Sequence, residues 1–152
     1  MSLKPYKQPV SALVVIYTAR LDVLLLERAA HPAFWQSVTG SREGDEALID
    51  TAHREVGEET GIDTRQHQLS DWQLTNTYEI FPEWRHRYAP GVVTNTEHVF
   101  GLCLRDKQVI RTAPDEHRDW CWLPWQEAAE RCFSASNREA ILMLPDRHVR
   151  PA

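Results

Sequence analysis

Apolar side chains cluster in short runs along the 152-residue chain, and their spacing predicts the order of its elements. Residues 10–17 (VSALVVIY) and 22–27 (DVLLLE) are almost continuously apolar and rich in aliphatic side chains, which is typical of strands buried on both faces. A short turn separates the two runs, so we expect them to form a hairpin. Residues 34–39 (FWQSVT) predict a shorter extended segment that ends at Gly40.

The apolar spacing then becomes helical. It predicts a helix over residues 46–60, and Gly61 stands where a glycine commonly ends a helix. Near the C-terminus, Pro124 opens a second predicted helix (PWQEAAERCF), since proline is favoured in the first helical turn. Residues 136–144 predict a third helix after a serine-rich break.

The remaining apolar runs predict strands over residues 72–81, 97–104 and 119–123. Between the first two of them, residues 82–96 contain Pro82, Pro90 and Gly91 and are predicted to form a loop. The order of strands, one helix, strands and further helices predicts an α/β sandwich with a mixed sheet. It does not fit a doubly wound parallel sheet, in which strands and helices alternate.

The predicted helix over residues 46–60 carries carboxylates on its apolar side. With 3.6 residues per turn, one line along it holds Leu48, Ala52, Glu55 and Glu59, and Ile49 and Val56 widen this line into a stripe. Buried carboxylates without partners cost several kcal/mol, and Arg54 alone cannot neutralise Glu46, Glu55, Glu58 and Glu59. A divalent cation could do so, and a set of oxygen ligands favours Mg²⁺, with Mn²⁺ as a possible substitute. The alternative is a solvated acidic helix face in which Arg54 pairs with Glu58.

Composition narrows the classes of function. The formal net charge is −5, which argues against a nucleic-acid-binding protein but not against a phosphate-bearing small molecule. No apolar run reaches membrane-spanning length, so we expect no membrane partner. Three cysteines without CxxC spacing are typical of reduced thiols, and we expect a cytoplasmic location. The length is typical of one domain, which we predict over residues 1–152.

The whole segment over residues 40–62 (GSREGDEALIDTAHREVGEETGI) resembles the catalytic box of the Nudix hydrolases. Gly40, Glu46 and the run over residues 54–62 match the defined positions of that box. One departure is the order Gly44-Asp45-Glu46, because many boxes place glycine directly before the first glutamate. The resemblance implies an α/β/α sandwich with a loop-helix-loop box and an enzyme that hydrolyses phosphoanhydride bonds.

The resemblance also assigns roles within the box. Glu55 and Glu59 would bind the metal directly, and Glu58 would be a third or water-bridged ligand. The Gly40 carbonyl would approach the metal closely because glycine has no Cβ. Arg54 would hold the glutamates in place.

Such a centre suits the cleavage of phosphoanhydrides. The reaction needs cations that absorb charge on the phosphate oxygens and a water molecule placed in line with the bond. A carboxylate that does not bind the metal then removes a proton from the water. The base could be Glu58, Glu59 or Glu116, and the number of metals and the attacked phosphorus also remain open.

Further segments resemble one Nudix subfamily, the bacterial folate-pathway enzymes that remove pyrophosphate from dihydroneopterin triphosphate and also accept some deoxynucleoside triphosphates. These segments are residues 6–11, 34–41, 85–91, 95–97 and 136–138. This resemblance makes Glu116 a fourth carboxylate that reaches the metal. It also implies a set of substrate-binding residues, namely Lys7, Arg28, Thr39, Tyr78, Glu79, Ile80, Phe81 and Ser134.

Two alternatives stand beside this hypothesis. The first is a pyrophosphatase of the same family that acts on dATP-like or damaged nucleotides with a different ring pocket. The second is an inactive Nudix module that senses a ligand, although such modules usually lose a glutamate of the box. The oligomeric state is not predicted.

Overall fold

A computed structural model describes residues 5–148, so the ends of the predicted domain over residues 1–152 lie outside the described residues. The strands are β1 (Val10–Thr18), β2 (Asp22–Arg28), β3 (Trp35–Gln36), β4 (Val38–Ser41), β5 (Gln68–Glu79), β6 (Thr94–Leu104) and β7 (His117–Pro124). The α-helices are α1 (Leu48–Thr60), α2 (Trp125–Arg131), α3 (Ala135–Leu142) and α4 (Leu144–Arg147), and 3₁₀ helices cover Thr64–Gln66 and Pro82–Arg87. No helix in the described part of the chain is long and apolar enough to span a membrane.

The strands form a mixed sheet with β1 at its centre. Strand β1 runs parallel to β6 along its full length and antiparallel to β4 along its first half. Strand β5 extends the sheet beyond β6, and β2 continues it on the other side, where β7 and β3 pair with β2. The sequence prediction of a mixed sheet is confirmed.

Successive side chains of β1 point to opposite faces of the sheet, as the pleat requires. Leu13 and Val15 pack with the apolar side chains of α2, α3 and α4. Val14 and Ile16 pack with Ala52 and Val56 of α1. Two helical layers therefore cover one sheet, which is the predicted α/β/α sandwich, and the prediction that β1 is buried on both faces is confirmed.

Two predicted extended segments pair differently from what the sequence suggested. Strand β1 meets β2 in register only at the Tyr17–Val23 pair, because most of β2 runs along β7. The predicted hairpin is therefore formed only beside its turn. The extended segment predicted over residues 34–39 divides into β3 and β4, which pair with different strands.

The predicted loop over residues 82–96 is partly ordered. It begins with the Pro82–Arg87 3₁₀ helix, and its last three residues belong to β6, where they pair with β5. Helix α1 begins at Leu48 because Ala47 has an extended backbone, two residues later than predicted. Gly61 ends α1 with φ of 75°, as expected for a C-terminal glycine.

The three cysteines are unpaired, as predicted, and Cys103 and Cys132 are buried.

A hydrogen-bonded pair far apart in sequence joins the sheet to α3. Buried Asn137 accepts the backbone N–H of Ser37 at 2.7 Å and donates to its hydroxyl oxygen at 2.9 Å. The variant Asn137→Ala should lower the free energy of unfolding by about 2 kcal/mol, because it leaves the Ser37 N–H buried without an acceptor. Urea denaturation would measure this change, with Gln126→Ala on the exposed side of α2 as the control. Equal stability of both variants would contradict the structural importance of this pair.

Candidate active site

Helix α1 carries two glutamates on the side that faces the sheet. Glu55 and Glu59 lie about one turn apart, and Glu59 is 2% exposed, whereas the side chain of Glu55 is 12% exposed. Burial of Ala52 and Val56 in the core holds this side of the helix inward. Ile49 does not belong to the buried stripe, contrary to the prediction, because it is 36% exposed.

Gly40 provides the space that the Glu55 carboxylate occupies. It lies on β4 opposite Ala12 of β1. A Cβ atom added to Gly40 would lie 2.0 Å from Cδ of Glu55, far inside van der Waals contact. The absence of a side chain on β4 therefore lets a carboxylate of α1 lie directly against the β4 backbone.

Arg54 joins the acidic residues of this segment. Its guanidinium donates to Glu46 at 2.7 Å, to Glu55 at 2.9 Å and to Glu58 at 3.3 Å. It also donates to the Ser41 carbonyl at 3.1 Å. The hydrogen bond from Arg54 lowers the pKa of Glu46 to about 2. Arg54 therefore holds the loop before α1 and two glutamates of α1 in one arrangement.

A second group of possible ligands lies at the start of β7. Ligand atoms of Glu59, Glu116 and His117 all lie within 4.8 Å of one another. Glu116 is exposed, whereas Glu59 and His117 are buried. Nδ1 of His117 is 3.8 Å from Oε1 of Glu59. The fold thus brings Glu116 to α1 across more than fifty residues of sequence.

The buried carboxylates of Glu55 and Glu59 are not fully neutralised by the cationic side chains around them. Burial raises the pKa of Glu55 to about 7, although Arg54 opposes the shift. Burial, followed by the charges of Glu55 and Glu116, raises the pKa of Glu59 well above its ordinary value. Oε2 of Glu59 is buried and has no hydrogen-bond partner in the described chain. An added cation would remove both the repulsion and the unsatisfied oxygen.

Cationic side chains lie beside this centre. Lys7 interacts electrostatically with Glu55 and Glu116, and Arg28 interacts with Glu59 and Glu116. The backbone N–H of Lys7 donates to the Arg87 carbonyl at 2.9 Å, which ties the N-terminal segment to the Pro82–Arg87 helix. These cations can bind the oxygens of a phosphate chain.

Aromatic side chains form a cluster next to Arg28. The Arg28 guanidinium carbon lies 4.7 Å from the centre of the Trp84 ring. Phe81 contacts Trp84 with ring centres 5.0 Å apart and Phe133 with ring centres 6.4 Å apart. Phe34 stacks on Phe133 with ring centres 4.8 Å apart. The cluster offers flat apolar surface close to the cations.

The other predicted substrate residues have different surroundings. Tyr78 and Phe81 are 41% and 44% exposed, whereas Ile80 is only 4% exposed and belongs to the interior. The Glu79 side chain is 83% exposed and lies 3.9 Å from Arg85. Their roles in binding stay predictions.

The last two predicted substrate residues, Ser134 and Thr39, form hydrogen bonds with α3 and α1 respectively. The Ser134 hydroxyl caps α3 by accepting from the Asn137 N–H. Thr39 lies on β4, and its backbone N–H donates to the Glu59 carboxylate.

Comparison with known proteins places this arrangement in a family. Residues 7–144 match the NUDIX domain family. The protein belongs to the Nudix hydrolases. The family assignment drawn from the 40–62 box is thereby confirmed.

Two bacterial relatives align over almost their whole length. The chain is 49% identical over 145 residues to dihydroneopterin triphosphate diphosphatase of Escherichia coli strain K12, covering 93% of this chain and 95% of that protein. It is 43% identical over 139 residues to the Haemophilus influenzae enzyme of the same name, covering 90% and 87%. The solved structure of the E. coli dihydroneopterin triphosphate pyrophosphohydrolase superposes with a TM-score of 0.88 at 47% identity, covering 95% of this chain and 99% of that chain.

Within the Nudix box, Glu58 differs from the other two glutamates. Its side chain is 57% exposed and faces Arg54. The Arg54–Glu58 pairing of the alternative interpretation is therefore present, but it coexists with the buried Glu55 and Glu59. Glu58 does not belong to the cluster that Glu59 forms with Glu116 and His117, and its role as a ligand stays a prediction.

Sequence reasoning missed two buried polar residues that connect the Nudix centre to Arg28. Gln36 accepts a hydrogen bond from Arg28 at 3.3 Å, and its amide nitrogen lies 3.4 Å from Nε2 of His117. If the Gln36 amide donates, the His117 proton is on Nδ1, which faces Glu59. Burial lowers the pKa of His117 to about 4, so the ring is neutral at pH 7. The directly adjacent Glu116 was the signal that could have identified His117.

The donor set of the Nudix centre fits a divalent cation. Carboxylate oxygens and a backbone carbonyl are the ligands that Mg²⁺ and Mn²⁺ prefer. The unsatisfied Oε2 of Glu59 and the Glu55 carboxylate that lies against Gly40 offer ligand atoms to an ion. Mg²⁺ rather than Mn²⁺ stays a prediction.

The affinity for Mg²⁺ should rise with pH. Because the pKa of Glu55 is about 7 and that of Glu59 is raised well above its ordinary value, Mg²⁺ must displace protons that these carboxylates hold below neutrality. Isothermal titration calorimetry should give a Kd at least about tenfold weaker at pH ~5.5 than at pH ~7.5. An equal Kd at both pH values would contradict the raised pKa values.

The same linkage predicts how Mg²⁺ affects stability. Between pH ~4.5 and the raised pKa values, the metal-free folded state holds more protons on these groups than the unfolded state. Their contribution to stability therefore falls as the pH rises through this window. The increase in Tm on replacing EDTA with Mg²⁺ should accordingly be larger at pH 8 than at pH 6, and Glu55→Gln should reduce that difference.

Proposed function

We propose that the protein is a Mg²⁺-dependent pyrophosphohydrolase that cleaves dihydroneopterin triphosphate into the monophosphate and pyrophosphate in folate biosynthesis. The observation that carries the proposal is a sequence identity of 43% and 49%, over 90% and 93% of this chain, with relatives named for this activity. The chain also keeps the carboxylates of the Nudix box. A cytoplasmic location agrees with three unpaired cysteines. The partner is a small triphosphate, and neither a nucleic acid nor a membrane is needed.

The metal would be held by the residues that approach one another around α1. Glu55, Glu59 and Glu116 supply carboxylate oxygens, and Gly40 supplies its carbonyl. Glu58 joins them directly or through water. When bound, Mg²⁺ would stabilise charge on the phosphate oxygens and lower the pKa of a bound water.

The residues of the chain position the triphosphate. Lys7 and Arg28, which interact with the carboxylates of the centre, hold phosphate oxygens beside the metal site. Arg54 keeps Glu55 in its place, as its 2.9 Å hydrogen bond indicates. Tyr78 and Phe81 offer partly exposed aromatic surface for the ring. Thr39, Glu79, Ile80 and Ser134 complete the proposed substrate site.

Hydrolysis then needs one proton transfer. A water oxygen bonds to phosphorus, the bridging P–O bond breaks, and the leaving phosphate takes the electron pair. A carboxylate with an oxygen that the metal leaves free accepts the proton of the water, and the candidates are Glu58, Glu59 and Glu116. Hydrolysis in ¹⁸O-labelled water would identify the attacked phosphorus, because the label enters the monophosphate or the pyrophosphate.

The proposal is tested by measuring pyrophosphate release from dihydroneopterin triphosphate and from a panel of nucleoside triphosphates, with Mg²⁺ and with EDTA. We expect Mg²⁺-dependent release with the highest kcat/KM on the pterin. A kcat/KM at least tenfold higher on any nucleotide would overturn the substrate and favour the dNTP pyrophosphatase. Binding of these compounds without turnover would favour the ligand-sensing module.

A further inference from the structure

The Pro82–Arg87 helix carries a cation, Arg87, as its last residue. This helix has 3₁₀ geometry, in which side chains three residues apart lie on the same side. Trp84 and Arg87 therefore share one side of the helix. The Trp84 ring lies over Arg28, with its centre 4.7 Å from the guanidinium carbon. The side of the helix that carries Arg87 thus faces Arg28 at the candidate active site.

Contacts on both sides of the site hold this helix in place. The backbone carbonyl of Arg87 accepts the N–H of Lys7 at 2.9 Å. Tyr88, the residue that follows the helix, interacts through its hydroxyl with the Ser41 side chain. Ser41 directly follows Gly40 of the Nudix box. The position of residue 87 beside the site is therefore fixed by contacts that do not use the Arg87 side chain.

Arg87 adds a third positive charge to those of Lys7 and Arg28. Burial, followed by the charge of Arg87, lowers the pKa of Lys7 and also that of Arg28. For both residues, the effect of Arg87 on the pKa exceeds that of any carboxylate. The three cations consequently lie close enough together to repel one another.

This group of like charges has no counterion of its own. Among the residues that the structure describes, neither Lys7 nor Arg28 nor Arg87 forms an ion pair with a carboxylate, although the net charge of the chain is −5. Nε of Arg28 is buried and has no hydrogen-bond partner within the described chain. The carboxylates that interact with Lys7 and Arg28 belong to the proposed metal centre, so a bound metal would take up their charge. An anion with several oxygens would then satisfy all three cations.

We propose that Arg87 is a third phosphate-binding residue, which binds the phosphate chain of the substrate together with Lys7 and Arg28, an inference that rests on the proposed function. A planar guanidinium can donate two parallel hydrogen bonds to one phosphate group. The phosphate chain is common to pterin and nucleotide triphosphates. Arg87 therefore contributes equally to the binding of both.

The decisive variant is Arg87→Gln, which removes the charge and keeps the backbone carbonyl that accepts from Lys7. KM for dihydroneopterin triphosphate should rise about tenfold or more, because hydrogen bonds to charged groups are of this strength. KM for dATP should rise by the same factor, whereas kcat should change less than about threefold, since uniform binding does not alter kcat. Arg87→Lys, which keeps the charge without the guanidinium fork, should recover part of the affinity.

Binding of inorganic pyrophosphate separates the phosphate contact from turnover. Isothermal titration calorimetry in Mg²⁺ should give a Kd for pyrophosphate that is about tenfold weaker in Arg87→Gln than in the wild type. Arg85→Gln is the matched control, because it removes the same charge from the same helix. The Arg85 guanidinium donates to the Ile80 carbonyl at 3.0 Å instead, so this variant should change the Kd less than about threefold.

Three outcomes would overturn the inference. One is a wild-type Kd for pyrophosphate in Arg87→Gln, and another is a loss confined to kcat. The third is an equal loss in Arg85→Gln, which indicates a general effect of the charge of the helix. If Arg87→Gln does not fold, NMR of the wild type replaces it. The Arg87 Nε–H resonance should then shift when pyrophosphate is added, and an unchanged resonance contradicts the inference.

Failure of the proposed function would be distinguishable. If the wild-type enzyme cleaves nucleotides but not the pterin, the substrate proposal fails, while weaker pyrophosphate binding in Arg87→Gln still supports the phosphate contact. Conversely, fast pterin turnover by the wild type, together with undiminished pyrophosphate binding in Arg87→Gln, overturns only the role of Arg87.

Discussion

Replacing Glu59 by Gln is expected to lower kcat by about 10³-fold or more, because stabilisation by a metal is worth several kcal/mol. The same change should raise the Tm of the metal-free protein at pH 8. Glu59 is 2% exposed and close to Glu55 and Glu116, so the wild-type fold carries a carboxylate that prefers to be neutral. Loss of activity together with a gain in stability is characteristic of a functional residue.

Steady-state pyrophosphate release and thermal melts in EDTA would measure the two effects. Glu130→Gln, on the exposed side of α2, is the matched control and should change neither quantity. Turnover of Glu59→Gln at the wild-type rate would refute the metal site. A lower Tm would show instead that the buried carboxylate stabilises the fold.

The variant Gly40→Ala should lower kcat/KM by about 100-fold, since displacements near 1 Å at a catalytic group have effects of this size. Its new Cβ would lie 2.0 Å from Cδ of Glu55, so the carboxylate must leave its position against β4. The fold should change little in stability because the displaced atoms are the end of a flexible side chain. Mg²⁺ affinity should fall in parallel with activity.

Gly57→Ala is the matched control for this prediction. Gly57 lies within α1, and a Cβ there would be 4.0 Å from its nearest neighbour, the Ile62 carbonyl oxygen. The change should leave activity intact and raise the free energy of unfolding by about 0.5–1 kcal/mol, because alanine favours a helix over glycine. A similar loss of activity in both variants would show that the contact between Gly40 and Glu55 is not the cause.

The sequence predicted where the helices and strands lie better than it predicted which strands pair with each other. Runs of apolar residues located the strands, and helical spacing located α1, because both patterns follow from local geometry. The pairing of β2 with β7 was not predicted, because the two strands are separated by almost ninety residues and no local signal links them. The same holds for the division of residues 34–39 into β3 and β4, which depends on where each half finds a partner.

In the candidate active site, too, local spacing predicted some features and tertiary packing decided others. Helical periodicity alone placed Glu55 and Glu59 on the inner side of α1, and the density of acidic residues there predicted a cation. It also placed Ile49 inward, which is wrong because the sheet covers a narrower stripe of the helix. Helical spacing also predicted the Arg54–Glu58 pair, whereas the position of Glu59 beside Glu116 follows only from the packing of α1 near the start of β7.

By itself, the sequence determined the catalytic helix and the cation that its carboxylates need, because these depend on spacing within one segment. The order of the elements along the chain predicted the sandwich, and the resemblance of residues 40–62 to the Nudix box indicated the family. The tertiary structure decided which distant residues complete the site. Glu116 and His117 reach Glu59 through the pairing of β7 with β2, and the Pro82–Arg87 helix brings Arg87 to Arg28. The physical reason is that burial and unsatisfied hydrogen bonds, which single out Glu59 and Arg28, exist only after the chain has folded.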